Sequence, residues 1–435
     1  MTQTIRRVAV IGGVRIPFCR SNSLYMDQTN LDMLTVTLNA LVDRYDLKGV
    51  HVDEVAGGAV VTHSRDWNIA REAVIGTKLA PSTPGLTVMQ ACGTSLQAAG
   101  GIAAKIAIGQ IESGIAMGSD TTSDPPIVVG KKLATRLRDA GMQKTTMAKL
   151  GVFKGFSPSE LTPMPPSVAE PRTGLSMGQH CELMAKEWKI GRAEQDQLAY
   201  ESHTKAAAAY KAGWFDDLLV PCAGVFRDNN VRADSTVEKL GQLKPAFDRS
   251  AAGTMTAGNS TPLTDGAAAV LLASEEWAAS RGLKPMAYLT HVETAANNFV
   301  AGDGLLMAPT IAVANMLKKA NLKLQDFDFY EIHEAFAAQV LCTLKAWEDP
   351  AYCRDKLGWS EPLGSIDRAK MNVKGSSLAV GHPFAATGAR IVGNLAKLLD
   401  VHGGRGLISI CTAGGMGVSA IMESAKAGEM RMAAE

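Results

Sequence analysis

No uninterrupted apolar run in this chain approaches the ~18 residues that a bilayer span requires, so no membrane span is expected. Charge of one sign is missing too. The 44 Lys and Arg against 43 Asp and Glu leave a formal net charge of +1, which gives no reason to expect nucleic acid as a partner. Cysteine is scarce and scattered: Cys19, Cys92, Cys181, Cys222, Cys342, Cys353 and Cys411 are odd in number and include no C-x-x-C pair. That excludes a disulfide framework or a zinc ribbon and leaves reduced thiols, with no metal site assigned. The N-terminus lacks the apolar stretch and cleavage site of a secretory signal and runs into a strand, so a cytoplasmic location is expected. What remains is an ordinary globular composition, 46% hydrophobic and 20% charged over 435 residues, long enough for two or more core-bearing units.

The organising stretch is 88–109, VMQACGTSLQAAGGIAAKIAIG. Residues 85–90 predict a strand, and 93–108, small and apolar almost throughout, predict a buried helix. Cys92 then falls at a strand-to-helix turn, where free N–H groups and the positive end of the helix favour a thiolate. A buried, inert cysteine is the commoner role for this residue type, and only the later motifs argue against it here. Gly12-Gly13 after the opening strand invites a dinucleotide-binding reading. The third glycine of that turn is absent, and Pro17 would fall inside the phosphate-binding helix.

The second half of the chain repeats the first. Leu31, Leu34, Leu38, Leu41 and Val42 have helical spacing, followed by Leu47, Val52, Val55 and a strand-like EVAGGAVV. At an offset of 275, Leu38, Leu41, Val42, Leu47, Val52 and Val55 become Val313, Met316, Leu317, Leu322, Phe327 and Tyr330, and Asp53 becomes Asp328. His382 answers Cys92 at an offset of 290, each before a small-residue helix; the extra 15 residues fit a polar insertion around 348–367. Two βα-rich halves from one plan follow.

Residues 124–250 differ in character. Lys131, Lys132, Arg136, Arg138, Lys144, Lys149 and Lys154 stand against one acid, Asp139; 157–171 is proline-rich, and an amphipathic helical pattern resumes over 178–210. This reads as an excursion covering a site, its basic run either a solvated face or a contact for the phosphates of a large anionic ligand. Late in the chain come three polar islands: EIHEAF at 331–336, GHPFAATG at 381–388 and ICTAGGMG at 410–417. Each places a nucleophilic or basic side chain at the end of a predicted strand. Three such islands together with Cys92 are hard to explain as packing.

The residues that carry these islands resemble the thiolase family over essentially the whole chain: Cys92 in ACGTSLQA, His333 in HEAF, His382 in GHP, and Cys411 followed by TAGG. GNSTPLTDGAAA at 258–269 and MGQHCELMAKEWKIGRAEQDQLAYESH from Met177 add to the resemblance. It implies an α/β thiolase fold, five layers (αβαβα) from two similar halves plus a covering loop domain. The expected limits are 1–123 with 251–283, then 124–250, then 284–435. It also implies a homodimer or homotetramer, with acyl-CoA as substrate and coenzyme A as cosubstrate, and no permanently bound cofactor. Many thiolases carry Asn at the position of His333, Gly at that of Ala413 and Ser-Gly where Thr94-Ser95 stands. The histidine instead resembles the bacterial anaerobic β-oxidation thiolase and the trifunctional-enzyme β-subunit, which raises an α-subunit partner. The His-Met pair of many acetoacetyl-CoA thiolases is Ser176-Met177 here.

Cleaving a 3-ketoacyl-CoA needs a nucleophile, a base for it and an acid for the departing carbanion. Cys92 is the expected nucleophile, His382 its base, and Cys411 the group that protonates the carbanion or, in reverse, abstracts the α-proton. By resemblance, His333 with a water forms one oxyanion hole, and the backbone N–H groups of Cys92 and Ala413 form another. Thr261, Ser260 and Met177 are the expected substrate or CoA contacts. A ketoacyl synthase also pairs one Cys with two His, but it needs no α-proton base, so Cys411 favours the thiolase reading. A non-catalytic acyl- or sterol-binding relative would be expected to lack Cys92, His382 or Cys411.

Overall fold

Strands buried along their whole length require cover on both faces, and three of the longest here are of that kind: Val8–Arg15, Ser113–Asp120 and Thr264–Ser274. The computed structural model describes residues 5–426; the outer ends of the expected domains, 1–4 and 427–435, lie outside the described residues. In chain order the first strands are β1 (Val8–Arg15), β2 (Cys19–Arg20), β3 (Glu54–Gly58), β4 (Gly85–Thr87), β5 (Ser113–Asp120), β6 (Val128–Val129) and β7 (Pro163–Met164). The rest are β8 (Thr264–Ser274), β9 (Ala287–Ala296), β10 (Phe329–Ile332), β11 (Arg405–Thr412) and β12 (Met416–Ser424). The main sheet runs β10-β11-β12-β9-β1-β8-β5-β3-β4, with β2 on β8 and β6–β7 a separate two-stranded sheet.

The sheet contains the same arrangement twice. In the first half β3 is parallel to β4 and β5, β5 is antiparallel to β8, and β8 to β1. In the second half β10 is parallel to β11, β11 is antiparallel to β12, and β12 to β9. A single parallel bridge from Tyr330 to Met371 stands where β4 lies in the first half. The halves join through β1 and β9, at Ala9–Tyr288 and Val10–Ala287. The repeat read at an offset of 275 is therefore a repeat of topology. β1 continues through Gly12-Gly13 as a strand, with a bulge between Val10 and Gly12, and makes no phosphate-binding turn there.

The helices make the remaining layers. Asn30–Arg44 opens on a capping box from Thr29 and Asp32 and turns Met33, Leu34, Leu38, Leu41 and Val42 onto the outer face of the first half. Ala308–Ala320 covers β9 and β12 in the same way. Between the halves lie two small-residue helices, Thr94–Ala107 and Thr387–His402, each touching strands of both halves. They approach so closely that a Cβ on Gly388 would lie 2.4 Å from the Leu96 nitrogen. The order is αβαβα.

The excursion is less separate than the sequence suggests. Its amphipathic pattern forms two helices, Met177–Glu187 and Arg192–Lys211, whose Cys181, Met184 and Leu198 share an apolar core with Ile332, Phe336 and Trp347 of the second half. Asp228 in the same region receives both terminal nitrogens of Arg15 on β1, at 2.6 and 2.7 Å. In the basic run, Arg136 is not free for a ligand: it pairs with Glu160 at 2.8 Å and donates to the Val152 carbonyl. Glu160 lies beyond Lys154, where the basic run ends. Among the described residues, no helix is long and apolar enough to cross a membrane.

Candidate active site

The predicted strand over 85–90 is short, ending at Thr87, and the chain then bends tightly into the helix that starts at Thr94. Ala91 adopts φ +45°, a left-handed conformation that a non-glycine residue holds only when its surroundings enforce it. Thr94 enforces it, accepting from the Gln90 N–H at 2.8 Å and donating to the Ala91 carbonyl at 2.7 Å. Cys92 is thereby held at the tip of the bend, buried.

His382 enters from the other half. Its backbone N–H donates to Thr264 Oγ1 at 2.6 Å, and its Nδ1 lies 2.6 Å from Thr387 Oγ1. Its Nε2 lies 3.1 Å from the Cys92 sulfur. Two further ties fix the halves at this point. Ser95 donates to the Ala385 carbonyl at 2.5 Å and accepts from the Ala389 N–H at 2.8 Å. Asp120 accepts from the N–H groups of Val60, Val61 and Ala385.

The electrostatics correct one expectation. Cys92 is not a resting thiolate: burial pushes its thiol up to about 12, with the Asp120 carboxylate adding to the rise. The N–H groups of Cys92 itself and of Ala413 face the sulfur and oppose the rise without overcoming it. The Gly93 and Thr94 N–H groups bond instead to the Gln90 and Ala91 carbonyls within the bend. Burial, reinforced by Arg390, holds His382 down at about 3. The pair is a neutral thiol against a neutral imidazole.

His333 follows β10 and is anchored by its N–H to the Ser409 carbonyl at 2.9 Å. Its ring centroid is 4.1 Å from that of His382, and its Nδ1 is 2.9 Å from Ser377 Oγ. Donor atoms of Cys92, His333 and His382 all lie within 4.8 Å of one another, a set whose chemistry could also hold a zinc-like ion. Burial, then the neighbouring His382 and Arg390, holds His333 well below the ordinary imidazole range. Cys411 sits at the end of β11 in the second-half core, whereas Cys92 belongs to the core between the halves. Burial raises the Cys411 thiol far above its usual range, and the Cys92 sulfur is the next contributor.

Of the expected substrate contacts, Ser260 is buried with no partner for its hydroxyl among the described residues. Thr261 gives its hydroxyl proton to the Ser377 carbonyl at 2.9 Å. Met177 opens its helix, half-buried against the second-half core. Sequence reasoning missed Thr387, Ser377, Asp120 and Arg390, which orient the site. It also missed Glu170, which ties the covering region to the Gly414 N–H at 2.9 Å beside Ala413. Nothing in the sequence distinguishes these from other buried polar residues.

A thiol against an imidazole, with two N–H donors on the sulfur, defines an enzyme of covalent acyl transfer. Residues 8–276 match the family described as Thiolase, N-terminal domain, and 283–424 match Thiolase, C-terminal domain. The chain is 42% identical over 424 residues to a 3-ketoacyl-CoA thiolase of Shewanella baltica, covering 96% of this chain and 97% of that one. Its structure is similar to that of a Bacillus anthracis acetyl-CoA acetyltransferase, with a TM-score of 0.80, 30% identity, and 97% and 100% of the two chains covered. It is also similar to human mitochondrial 3-ketoacyl-CoA thiolase, with a TM-score of 0.78, 27% identity, and 96% and 99% covered. The chain belongs to the thiolase family and is an acyltransferase.

Proposed function

We propose that the protein cleaves 3-ketoacyl-CoA with free coenzyme A to give acetyl-CoA and a shortened acyl-CoA, and runs the reverse condensation, through an acyl group on Cys92. The observation that carries this is the 3.1 Å contact between Cys92 Sγ and His382 Nε2, with the Cys92 and Ala413 N–H groups on the same sulfur. His382 takes the thiol proton as Sγ attacks the keto carbon, and the two N–H groups hold the resulting oxyanion. The bond between the α and keto carbons then breaks. His333 hydrogen-bonds the thioester oxygen of the departing acetyl-CoA enolate, and Cys411 protonates its α-carbon. Burial suits Cys411 to this role by keeping its thiol protonated. Coenzyme A then returns a proton to Cys411 and takes the acyl group, and His382 returns its proton to Cys92. Thr261, Ser260 and Met177 contact the substrate or the CoA. No permanently bound cofactor takes part.

The domain division is 1–123 with 251–283, 124–250 and 284–435, supported by the shared strand order of the two halves. A cytoplasmic homodimer or homotetramer, with a β-oxidation α-subunit as a possible partner, completes the reading. The test is thiolysis of 3-ketoacyl-CoAs of graded chain length, together with mass analysis after acetoacetyl-CoA is supplied without free CoA. One acetyl group on the Cys92 peptide is expected. Labelling at another cysteine, or none, removes the assignment.

A further inference from the structure

A neutral imidazole has one donor and one acceptor nitrogen, and an enolate oxygen is helped only if the donor faces it. Which nitrogen of His333 carries the proton therefore decides whether this residue serves the reaction, and the identity of the residue does not settle it. The answer lies one bond away. His333 Nδ1 is 2.9 Å from Ser377 Oγ, and the same Oγ is 2.8 Å from Arg390 Nη2. All three side chains are buried. A guanidinium can only donate, so Ser377 Oγ accepts from Arg390. The serine proton then needs an acceptor, and the atom within reach is His333 Nδ1. In the opposite arrangement Nδ1–H would donate to Oγ, leaving the buried serine proton without an acceptor among the described residues.

The geometry points to Ser377, held by Arg390, as a positioning residue that fixes His333 in the tautomer with its proton on Nε2, presenting a donor to the reaction centre. Nε2 is buried and has no hydrogen-bond partner among the described residues. It is thus an unused donor on a ring whose centroid lies 4.1 Å from that of His382. Ser377 is itself clamped, because its carbonyl accepts from Thr261 Oγ1 at 2.9 Å and from the Gly381 N–H. Arg390 is held in turn by Ser376 Oγ, 3.3 Å from Nη2, and faces Glu331 at 3.9 Å. The orienting chain thus spans the strand end that carries His333, the loop that carries His382 and the second central helix.

The role in turnover rests on the thiolase reading above; the proton position does not, so the two can fail separately. Nitrogen NMR of the resting protein with labelled histidine reads the tautomer directly, the His333 signals being those lost in His333→Asn. Nδ1 unprotonated and Nε2 protonated is the expected result. A proton on Nδ1, or on both nitrogens, overturns the inference whatever the enzyme catalyses. In Ser377→Ala the preference for Nε2–H should disappear and turnover should fall roughly 10- to 100-fold, less than the 10²–10³-fold for losing an oxyanion donor outright, with KM nearly unchanged. In a His333→Asn background the same substitution should add less than about 2-fold, because the amide donor does not depend on Ser377. A rise in KM with unchanged turnover, or an equal loss in both backgrounds, would make Ser377 merely structural. If thiolysis itself is absent while the tautomer is as expected, the reaction assignment falls and the proton placement stands.

Discussion

Cys92 Sγ and His382 Nε2 are 3.1 Å apart across 290 positions of sequence, each on the bend that precedes one of the two central helices. The candidate reaction centre therefore lies at the seam of the internal repeat, one half supplying the proposed nucleophile and the other its proposed base. Both groups rest neutral, so the proposed mechanism depends on moving one proton over that contact rather than on a standing ion pair.

Alkylation of Cys92 in the resting protein should show this neutrality. With the thiol pushed up to about 12, the thiolate fraction rises about tenfold per pH unit through neutrality. Modification by iodoacetamide, followed on the Cys92 peptide from about pH 6 to about pH 9, should climb throughout. His382, held at about 3, stays uncharged over that range and adds no step. A plateau below neutral pH would mean a thiolate–imidazolium pair.

Cys411→Ala should separate the two cysteines. The variant is expected to accept an acyl group on Cys92 but to lose exchange of acetyl-CoA α-protons with deuterated solvent, by at least ~10²-fold if it is the acid–base group. Exchange near the wild-type rate would leave Cys411 a core residue.

His333 should tolerate Asn and not Ala. An amide keeps a neutral donor, so His333→Asn is expected to lose about 10-fold in turnover, and His333→Ala on the order of 10²–10³. Equal, severe losses in both, with folding confirmed, would move His333 from the oxyanion hole to the acid–base set.

Asp228→Asn should destabilise the fold. The Arg15–Asp228 pair is buried, and Asp228 also accepts from Tyr210 and from the Phe18 N–H. Removing its charge leaves a buried guanidinium uncompensated, at a cost of about 3–5 kcal/mol. Urea unfolding monitored by circular dichroism measures it, and a loss under about 1 kcal/mol would contradict the account.

The sequence by itself determined the duplicated α/β plan and the two small-residue helices, and it singled out the four candidate side chains Cys92, His333, His382 and Cys411. These are local or periodic properties: apolar spacing marks the outer helix over Leu34, Leu38 and Leu41, and a constant offset carries Asp53 to Asp328. Tertiary structure alone decided what those side chains are. Helix position argued for a thiolate at Cys92, but burial beside Asp120 and the use of the first N–H groups inside the bend reverse that. The proton on His333 is likewise set by Ser377, 44 residues further along the chain, and by Arg390, 13 residues beyond Ser377. Desolvation and hydrogen-bond direction depend on what surrounds a group in three dimensions, and no spacing along the chain encodes them.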